Sequence, residues 1–270
     1  MKSLFLDADR VTRQLEDFIK KVITEAGFSR AVVGLSGGID SSLSGYLTVG
    51  ALGKKNVLAV RMPYKTSSQD SLDHAQLVID ALGIQSETHP ISDMVDPLIN
   101  RSSDMSAVRK GNIMARTRMI VLYDHSAEFK GLVVGTGNKT EELLGYTTLF
   151  GDSACALNPL GDLYKTQVRQ LAKYLGIPDV IIAKPPTADL WKGQTDEGEL
   201  GFSYEDVDQL LFLMVDKHFT PQQCIQAGHP EAFVSKVVNT IRKNAFKRTV
   251  APIAYLEGNY DFVNDPEWGK

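Results

Sequence analysis

Cysteine is scarce in this chain: of 270 residues only Cys155 and Cys224 are cysteines. They form no Cys-x-x-Cys, so neither a zinc ribbon nor a dithiol redox site is suggested. Net positive charge is absent as well, since 29 Lys and Arg stand against 33 Asp and Glu, net −4. That excludes a general basic surface for nucleic acid and leaves only a local patch open. No apolar run approaches membrane-spanning length. The N-terminus carries Asp7, Asp9 and Arg10 where a secretory leader needs an apolar core. These absences predict a reducing, cytoplasmic setting with neither membrane nor nucleic acid as partner. The Gly-x-x-x-x-Gly-Lys-[Ser/Thr] phosphate loop is also missing, and no Gly-x-Gly-x-x-Gly follows the first expected strand.

What is present is an ordinary globular composition, 43% hydrophobic and 23% charged. The length suits one large α/β domain, expected over residues 1–270. Val11, Leu15, Phe18, Ile19, Val22 and Ile23 recur at helical spacing, and Gly27 ends that helix. Strand-like runs follow at Ala31–Leu35, Val57–Met62 and Leu132–Gly135, with a weaker one near Gln85–Ile91. Helical patterns separate them, one over Ser71–Leu82 with Gly83 as its stop, and from Tyr204 onward the pattern is helical. Such alternation predicts a parallel sheet with helices on both faces. Ligands of these sheets bind beyond the carboxyl ends of the strands. Three loops fall there: Ser36–Ser41, Pro63–Gln69 and Thr136–Glu141. The stretch Lys184–Gly201 holds Pro185, Pro186 and three glycines with little periodicity. It reads as a long, mobile loop of the kind that closes over a site.

The most informative run is Gly34-Leu-Ser-Gly-Gly-Ile-Asp-Ser-Ser42, between the apolar Ala31–Val33 and a helix expected over Leu43–Leu52. A Ser-Gly-Gly turn ahead of a helix lets backbone N–H groups approach an anion, and the helix N-terminus adds a positive dipole end. Asp40 inside this turn repels phosphate unless a cation lies between them. The combination points to a polyphosphate with a divalent metal. Val133-Val-Gly-Thr-Gly-Asn-Lys-Thr-Glu141 also runs from an apolar strand into a polar turn that ends on a carboxylate. If the two strands are neighbours, Asp40 and Glu141 can share one Mg²⁺. Taken alone, Glu141 reads rather as a charge stabilising a helix N-terminus.

Ser36-Gly-Gly-Ile-Asp-Ser41 resembles the pyrophosphate loop of the PP-loop ATP pyrophosphatases, which cleave ATP between its α and β phosphates. Further motifs follow: Leu149-Phe-Gly-Asp152, Asn158-Pro-Leu-Gly-Asp-Leu-Tyr-Lys-Thr-Gln-Val168, Pro185-Pro-Thr-Ala-Asp-Leu-Trp191 and Thr195-Asp-Glu-Gly-Glu-Leu-Gly201. In this order and spacing they are similar to the ammonia-dependent NAD⁺ synthetases. The resemblance runs from the N-terminal helix to the Lys247-Arg248 pair. It implies a parallel-sheet PP-loop fold, adenine nucleotide alpha hydrolase-like and Rossmann-like, with three layers and C-terminal helices. It also implies a homodimer, and a ligase that forms a C–N bond. ATP adenylates the carboxylate of deamido-NAD⁺ with release of pyrophosphate, and ammonia then displaces AMP to give NAD⁺. Glutamine-dependent relatives carry a fused amidase domain. About 30 residues precede the first strand here, too few for one, so free ammonia is the expected donor.

Carried over by motif, Ser36, Gly37, Gly38, Ile39, Asp40, Ser41 and Ser42 form the ATP loop. Arg61, Thr136, Lys165 and Thr187 are further ATP contacts. Asp40 and Glu141 are the Mg²⁺ ligands. Asp40, Lys165 and Asp152 are the catalytic residues, with Asp152 beside the reacting carboxyl. Asn112, Arg116, Asp152, Lys247 and Arg248 are the deamido-NAD⁺ contacts. Relatives often have a His directly before the Lys-Arg pair, where this chain has Phe246.

The helix that carries Asn112 also has a reading of its own. Val108, Ala115, Met119 and Leu122 form an apolar stripe with Asn112 in its middle and Arg116 at its border. A ligand, a second subunit or neighbouring backbone can satisfy such an Asn. Arg242-Lys-Asn-Ala-Phe-Lys-Arg248 reads either as a solvated helix end or as help with phosphates. The five histidines receive no role. The rival readings are another PP-loop transferase and a nucleotide-binding module without turnover. The first would show a basic surface, an RNA module or a different C-terminal domain. The second leaves the placement of Asp40, Glu141 and Lys165 unexplained.

Overall fold

The structure, a computed structural model, describes residues 4–191, 193–249 and 251–254. The single-domain expectation over 1–270 runs past these residues at both ends. In chain order the elements are α1 (Ala8–Glu25), β1 (Ala31–Gly34), α2 (Ile39–Leu52), β2 (Val57–Arg61), α3 (Gln69–Leu82), β3 (Gln85–Thr88), α4 (Ser92–Ile99), α5 (Ala107–Phe129) and β4 (Leu132–Val134). They continue with α6 (Lys139–Leu144), α7 (Lys165–Tyr174), α8 (Asp179–Ile182), α9 (Asp196–Leu200), α10 (Tyr204–Leu211), α11 (Pro221–Gln226) and α12 (Glu231–Lys243). A π-helical turn follows α10 at Phe212–Asp216, and a 3₁₀ turn at Ala245–Arg248 follows α12.

The four strands form a parallel sheet in the order β3-β2-β1-β4. Alternation of side chains sorts the sheet's two faces. Ala31, Val33, Val57 and Ala59 pack with Leu43 and Leu47 of α2, Val78 of α3 and Leu171 of α7. Val32, Leu58 and Val60 point the other way, onto Val95 of α4 and Met114 and Val121 of α5. A further cluster joins Leu144, Tyr164 and Tyr204 with Val207, Cys224, Val234 and Val237 of the C-terminal helices. A parallel α/β fold with helices on both faces of the sheet and further C-terminal helices is therefore present. Among the described residues no helix is long and apolar enough to cross a membrane.

Two expectations need correction. The first helix after the glycine turn begins at Ile39 rather than Leu43, with Gly38 as its N-cap. Asp40 thus stands in the first helical turn, and the apolar run at Leu43 marks only where the helix becomes buried. Lys184–Gly201 is not loop throughout, because it contains α9. Thr195 caps that helix by accepting from the Gly198 amide at 3.2 Å, and Gly198 inside so short a segment hides the helical pattern.

Strand order reverses at β1. The chain runs outward from β1 to β2 and β3, then returns to place β4 on β1's other side. In open parallel sheets this switch point leaves a crevice beyond the strand ends. The register pairs Val33 with both Ala59 and Val134. The turns that follow β1, β2 and β4 consequently open at one level.

Candidate active site

A cavity of about 550 Å³ opens at that level, within the size range of small-ligand sites. The turn after β1 forms one wall. Ser41 Oγ accepts from the Ser36 amide at 3.2 Å and lies 3.0 Å from Ser36 Oγ, while Ser36 Oγ accepts from the Gly38 amide at 3.2 Å. Gly37 adopts φ +76°, and a Cβ there would meet the Ser71 carbonyl oxygen at 2.1 Å. Only glycine suits both the backbone and the space. Ser42 is fully buried and gives its hydroxyl to the Gly38 carbonyl at 2.7 Å. Ser36, Gly38, Ile39, Asp40 and Ser41 line the cavity, whereas Gly37 and Ser42 shape the turn without lining it.

Lys165, at the start of α7, is the electrostatic centre. Its ammonium lies 2.5 Å from Asp40 Oδ2 and 3.2 Å from Glu141 Oε1, and its residue is 2% exposed. Asp40 also accepts from Asn138 Nδ2 at 3.0 Å. Glu141 does two jobs at once. Its Oε2 accepts from the Asn138 amide, closing a capping box at the start of α6, while Oε1 faces Lys165. The helix-terminus reading of this residue is therefore present, and its second oxygen faces a lysine. Burial pushes the Glu141 carboxyl up to about 7 against the pull of Lys165. Burial also opposes the charge on Lys165, but Asp40 and Glu141 outweigh it and hold the ammonium well above its usual pKa.

Other elements complete the walls. Arg61 ends β2 and donates to Gln76 Oε1 at 2.6 Å, Thr136 follows β4, and Thr187 lies on the segment before α9; all three line the cavity. Asn112, Ala115, Met119 and Leu122 of α5 line it too, so the apolar stripe is a cavity wall. Asn112 Oδ1 accepts from Thr148 Oγ1 at 2.8 Å. Asp152 lines the cavity and accepts from the Thr148 amide at 2.8 Å, and burial raises its pKa. Lys247 also lines it, while its ammonium donates to the Gly145 and Thr147 carbonyls at 2.7 and 2.8 Å.

Two residues are placed elsewhere. Arg116 is exposed, outside the cavity lining, and donates through Nε and Nη2 to the Leu149 carbonyl at 3.2 Å. Arg248 reaches the Leu143 carbonyl at 2.8 Å and does not line the cavity either. Phe246, where relatives often have His, is 61% exposed.

Sequence reasoning missed Asn138, Arg118, Tyr146 and Asp196. The Asn-x-x-Glu spacing of a capping box was a usable signal for Asn138. Arg118 lines the cavity and donates from Nε to the Met62 carbonyl at 3.1 Å. Asp196 is buried, accepting from the Tyr204 hydroxyl at 3.1 Å and the Tyr146 hydroxyl at 3.3 Å. Only folding brings these groups to one place.

A helix-borne glycine turn, facing carboxylates and a buried lysine at the switch point define an α/β protein built to hold a polyphosphate, of the PP-loop kind. The model of the NAD synthase family matches residues 11–251, and the chain belongs to that family. It is 49% identical over 270 residues to a protein of Chlorobaculum tepidum named NH(3)-dependent NAD(+) synthetase, covering 99% of this chain and 98% of the relative. A protein of the same name from Trichlorobacter lovleyi is 48% identical over 273 residues, covering all of both chains. Among solved structures, the NH3-dependent NAD synthetase of Campylobacter jejuni superposes with TM-score 0.79 at 35% identity, over 93% of this chain and all of that one. The NMN synthetase of Francisella tularensis superposes with TM-score 0.83 at 30% identity, over the same shares.

Proposed function

We infer that this chain is an ammonia-dependent ligase that converts deamido-NAD⁺ to NAD⁺ at the expense of ATP. The observation that carries the reading is Lys165 held between Asp40 and Glu141 beside the Ser36–Ser41 turn, in a chain of the NAD synthase family. The acceptor carboxylate attacks the α-phosphorus of ATP, forming an acyl adenylate and releasing pyrophosphate. Ammonia then attacks the acyl carbon, forming the amide, expelling AMP and giving up a proton. Adenylation mainly needs positioning and neutralised phosphate charge. The turn amides, Arg61 and Lys165 supply these, with Thr136 and Thr187 as further ATP contacts. Asp152, a buried carboxyl at the acceptor side, is suited to hold the proton that ammonia releases. Asn112 and Lys247 bind the deamido-NAD⁺, and we retain Arg116 and Arg248 as its contacts from the cavity's margin.

Magnesium belongs to the same reading. Among the described residues no three His, Cys, Asp or Glu side chains are arranged to hold a metal. Two do face the cavity together, Asp40 and Glu141, and each already binds the ammonium of Lys165. Mg²⁺ is typically held by one or two carboxylates plus substrate phosphates, so this donor pair fits it. When bound, the ion neutralises charge on the leaving pyrophosphate.

We read residues 1–270 as one domain in a cytoplasmic homodimer. The exposed apolar side chains Val108, Ile120, Tyr123 and Phe150 support a second copy along α5 and the neighbouring loop. Sedimentation equilibrium is expected to give twice the chain mass; a strict monomer at high concentration sinks the dimer.

The test of function is an assay with ATP, Mg²⁺, deamido-NAD⁺ and ammonium. It is expected to yield NAD⁺ and AMP in equal amounts, with AMP dependent on the acceptor. No NAD⁺ from folded protein rejects the reading. The Francisella tularensis neighbour is named NMN synthetase, which favours nicotinic acid mononucleotide as the competing acceptor. Comparison of kcat/KM for the two acceptors decides between them, and the dinucleotide is expected to win.

A further inference from the structure

We propose that Asp189 is a positioning residue for ATP, acting as the latch that seats the 185–191 segment over the phosphate turn. The inference rests on the reading of the site as an ATP-using one. Asp189 is a non-glycine residue at φ +50°, a left-handed conformation disfavoured for a residue with a Cβ. Its surroundings explain why it is held there. Asp189 Oδ2 accepts from the Ser68 amide at 3.0 Å, the Ser71 hydroxyl at 3.0 Å and the Ser68 hydroxyl at 3.5 Å. Ser68 is the N-cap of α3, a helix of 14 residues. A carboxylate from the segment before α9 is thus docked on the positive end of that helix.

The same contact reaches the phosphate turn and Thr187. Ser71 Oγ, which donates to Asp189, also accepts from the Lys184 ammonium at 2.9 Å, so the segment is tied at a second point. The Ser71 carbonyl oxygen is the atom that leaves no room for a Cβ on Gly37. The Asp189 amide in turn donates to Thr187 Oγ1 at 3.1 Å, fixing that hydroxyl on the cavity wall. On the far side Leu190 packs on Gly111 of α5, where an added Cβ would meet Leu190 Cδ1 at 2.8 Å. Asp189 thereby links three parts of the site: the turn after β1, the start of α3, and Thr187. It touches no reacting atom. Its effect is to make closure over the nucleotide favourable, so its loss weakens ATP binding more than the chemistry.

The test uses the full chain with Trp268→Phe, which leaves Trp191 as its one tryptophan. The α,β-methylene analogue of ATP, uncleavable at the α–β bond, is titrated with Mg²⁺ while Trp191 fluorescence is followed. Asp189→Gly, which relieves the left-handed backbone but removes the carboxylate, is expected to weaken the analogue at least tenfold. Asp189→Asn keeps one acceptor oxygen and is expected to recover part of that loss. Ser71→Ala is expected to weaken binding as well, with the double variant far less impaired than the product of the two single effects. In turnover, Asp189→Gly is expected to raise the KM for ATP at least tenfold while kcat and the KM for the acceptor stay within about threefold. Analogue affinity within twofold of wild type in folded Asp189→Gly overturns the proposal. So does an Asn variant no better than Gly. The titration contains neither acceptor nor ammonia, so failure of the amidation reading shows separately, as absent NAD⁺ from wild type.

Discussion

Asp40→Asn is expected to lower NAD⁺ formation on the order of 10²–10³-fold while leaving the protein folded. Asp40 stands in the first turn of α2, held by Asn138 Nδ2 at 3.0 Å and the Lys165 ammonium at 2.5 Å. An amide in its place has the same size but only one acceptor oxygen, so one of the two partners loses its bond while the packing survives. It lacks the negative charge that tolerates a cation beside the triphosphate. Removal of one preorganised electrostatic group from a water-poor site typically costs that factor. The check is the rate of NAD⁺ and AMP formation at saturating ATP, deamido-NAD⁺ and ammonium, alongside a thermal melt. A folded variant that turns over within tenfold of wild type sinks the assignment of Asp40. Pyrophosphate release should fall in parallel with NAD⁺, because the loss lies in adenylation.

Lys165→Ala is expected to cost both activity and stability. The ammonium is buried between two carboxylates, and its removal leaves them facing each other with no cation among their described partners. Breaking a buried ion pair from one side costs roughly 3–5 kcal/mol. The pH dependence follows from Glu141, which burial already pushes up to about 7 from an ordinary 4.5. A carboxyl with a raised folded pKa binds more protons in the native state than in the unfolded one. Its contribution to stability is therefore present below about 4.5 and lost as pH rises through about 7. Without Lys165 the pull toward the ionised form is gone, so the folded pKa rises further. The melting temperature of Lys165→Ala should fall further below wild type at pH 8 than at pH 5.5. An equal deficit at both values would contradict the role given to the Lys165–Glu141 contact. Turnover should drop at least as far as in Asp40→Asn, because the site loses the buried cation beside its phosphate turn. A folded Lys165→Ala that retains a tenth of wild-type activity removes Lys165 from the catalytic set.

These two predictions, and the Asp189 latch, concern groups that differ in how visible they are in the chain. The turn at Ser36–Ser41 is local, and so is its chemistry: glycines, hydroxyls and one carboxylate within a few residues of each other. Glu141 was visible both as a capping residue and as a cavity carboxylate, and the structure joins the two roles through Asn138. Asp189 is different. Nothing near it in the chain announces that Ser68 and Ser71, more than 100 residues earlier, will receive it.

Arg116 and Arg118 of α5 make the limit plain. At 100° per residue, Arg116 and Arg118 fall on opposite borders of the stripe formed by Val108, Ala115, Met119 and Leu122. Periodicity treats the two borders as equivalent. In the fold Arg118 lines the cavity and bonds the Met62 carbonyl, whereas Arg116 turns outward to the Leu149 carbonyl. The loop after α6, which brings Leu149 to Arg116, and the end of β2, which brings Met62 to Arg118, break the symmetry, and neither is encoded at the helix itself.

By itself, then, the sequence determined the alternating α/β order, the phosphate turn and the family to which the chain belongs. Each of these depends on contacts within a few residues or on motif order along the chain. Tertiary structure alone decided that α2 starts at Ile39, that Lys165 sits between Asp40 and Glu141, and which side chains of α5 face the cavity. The reason is physical: Val33 of β1 and its partner Val134 of β4 lie 101 positions apart in the chain, and only parallel strand pairing brings the turns beyond them together.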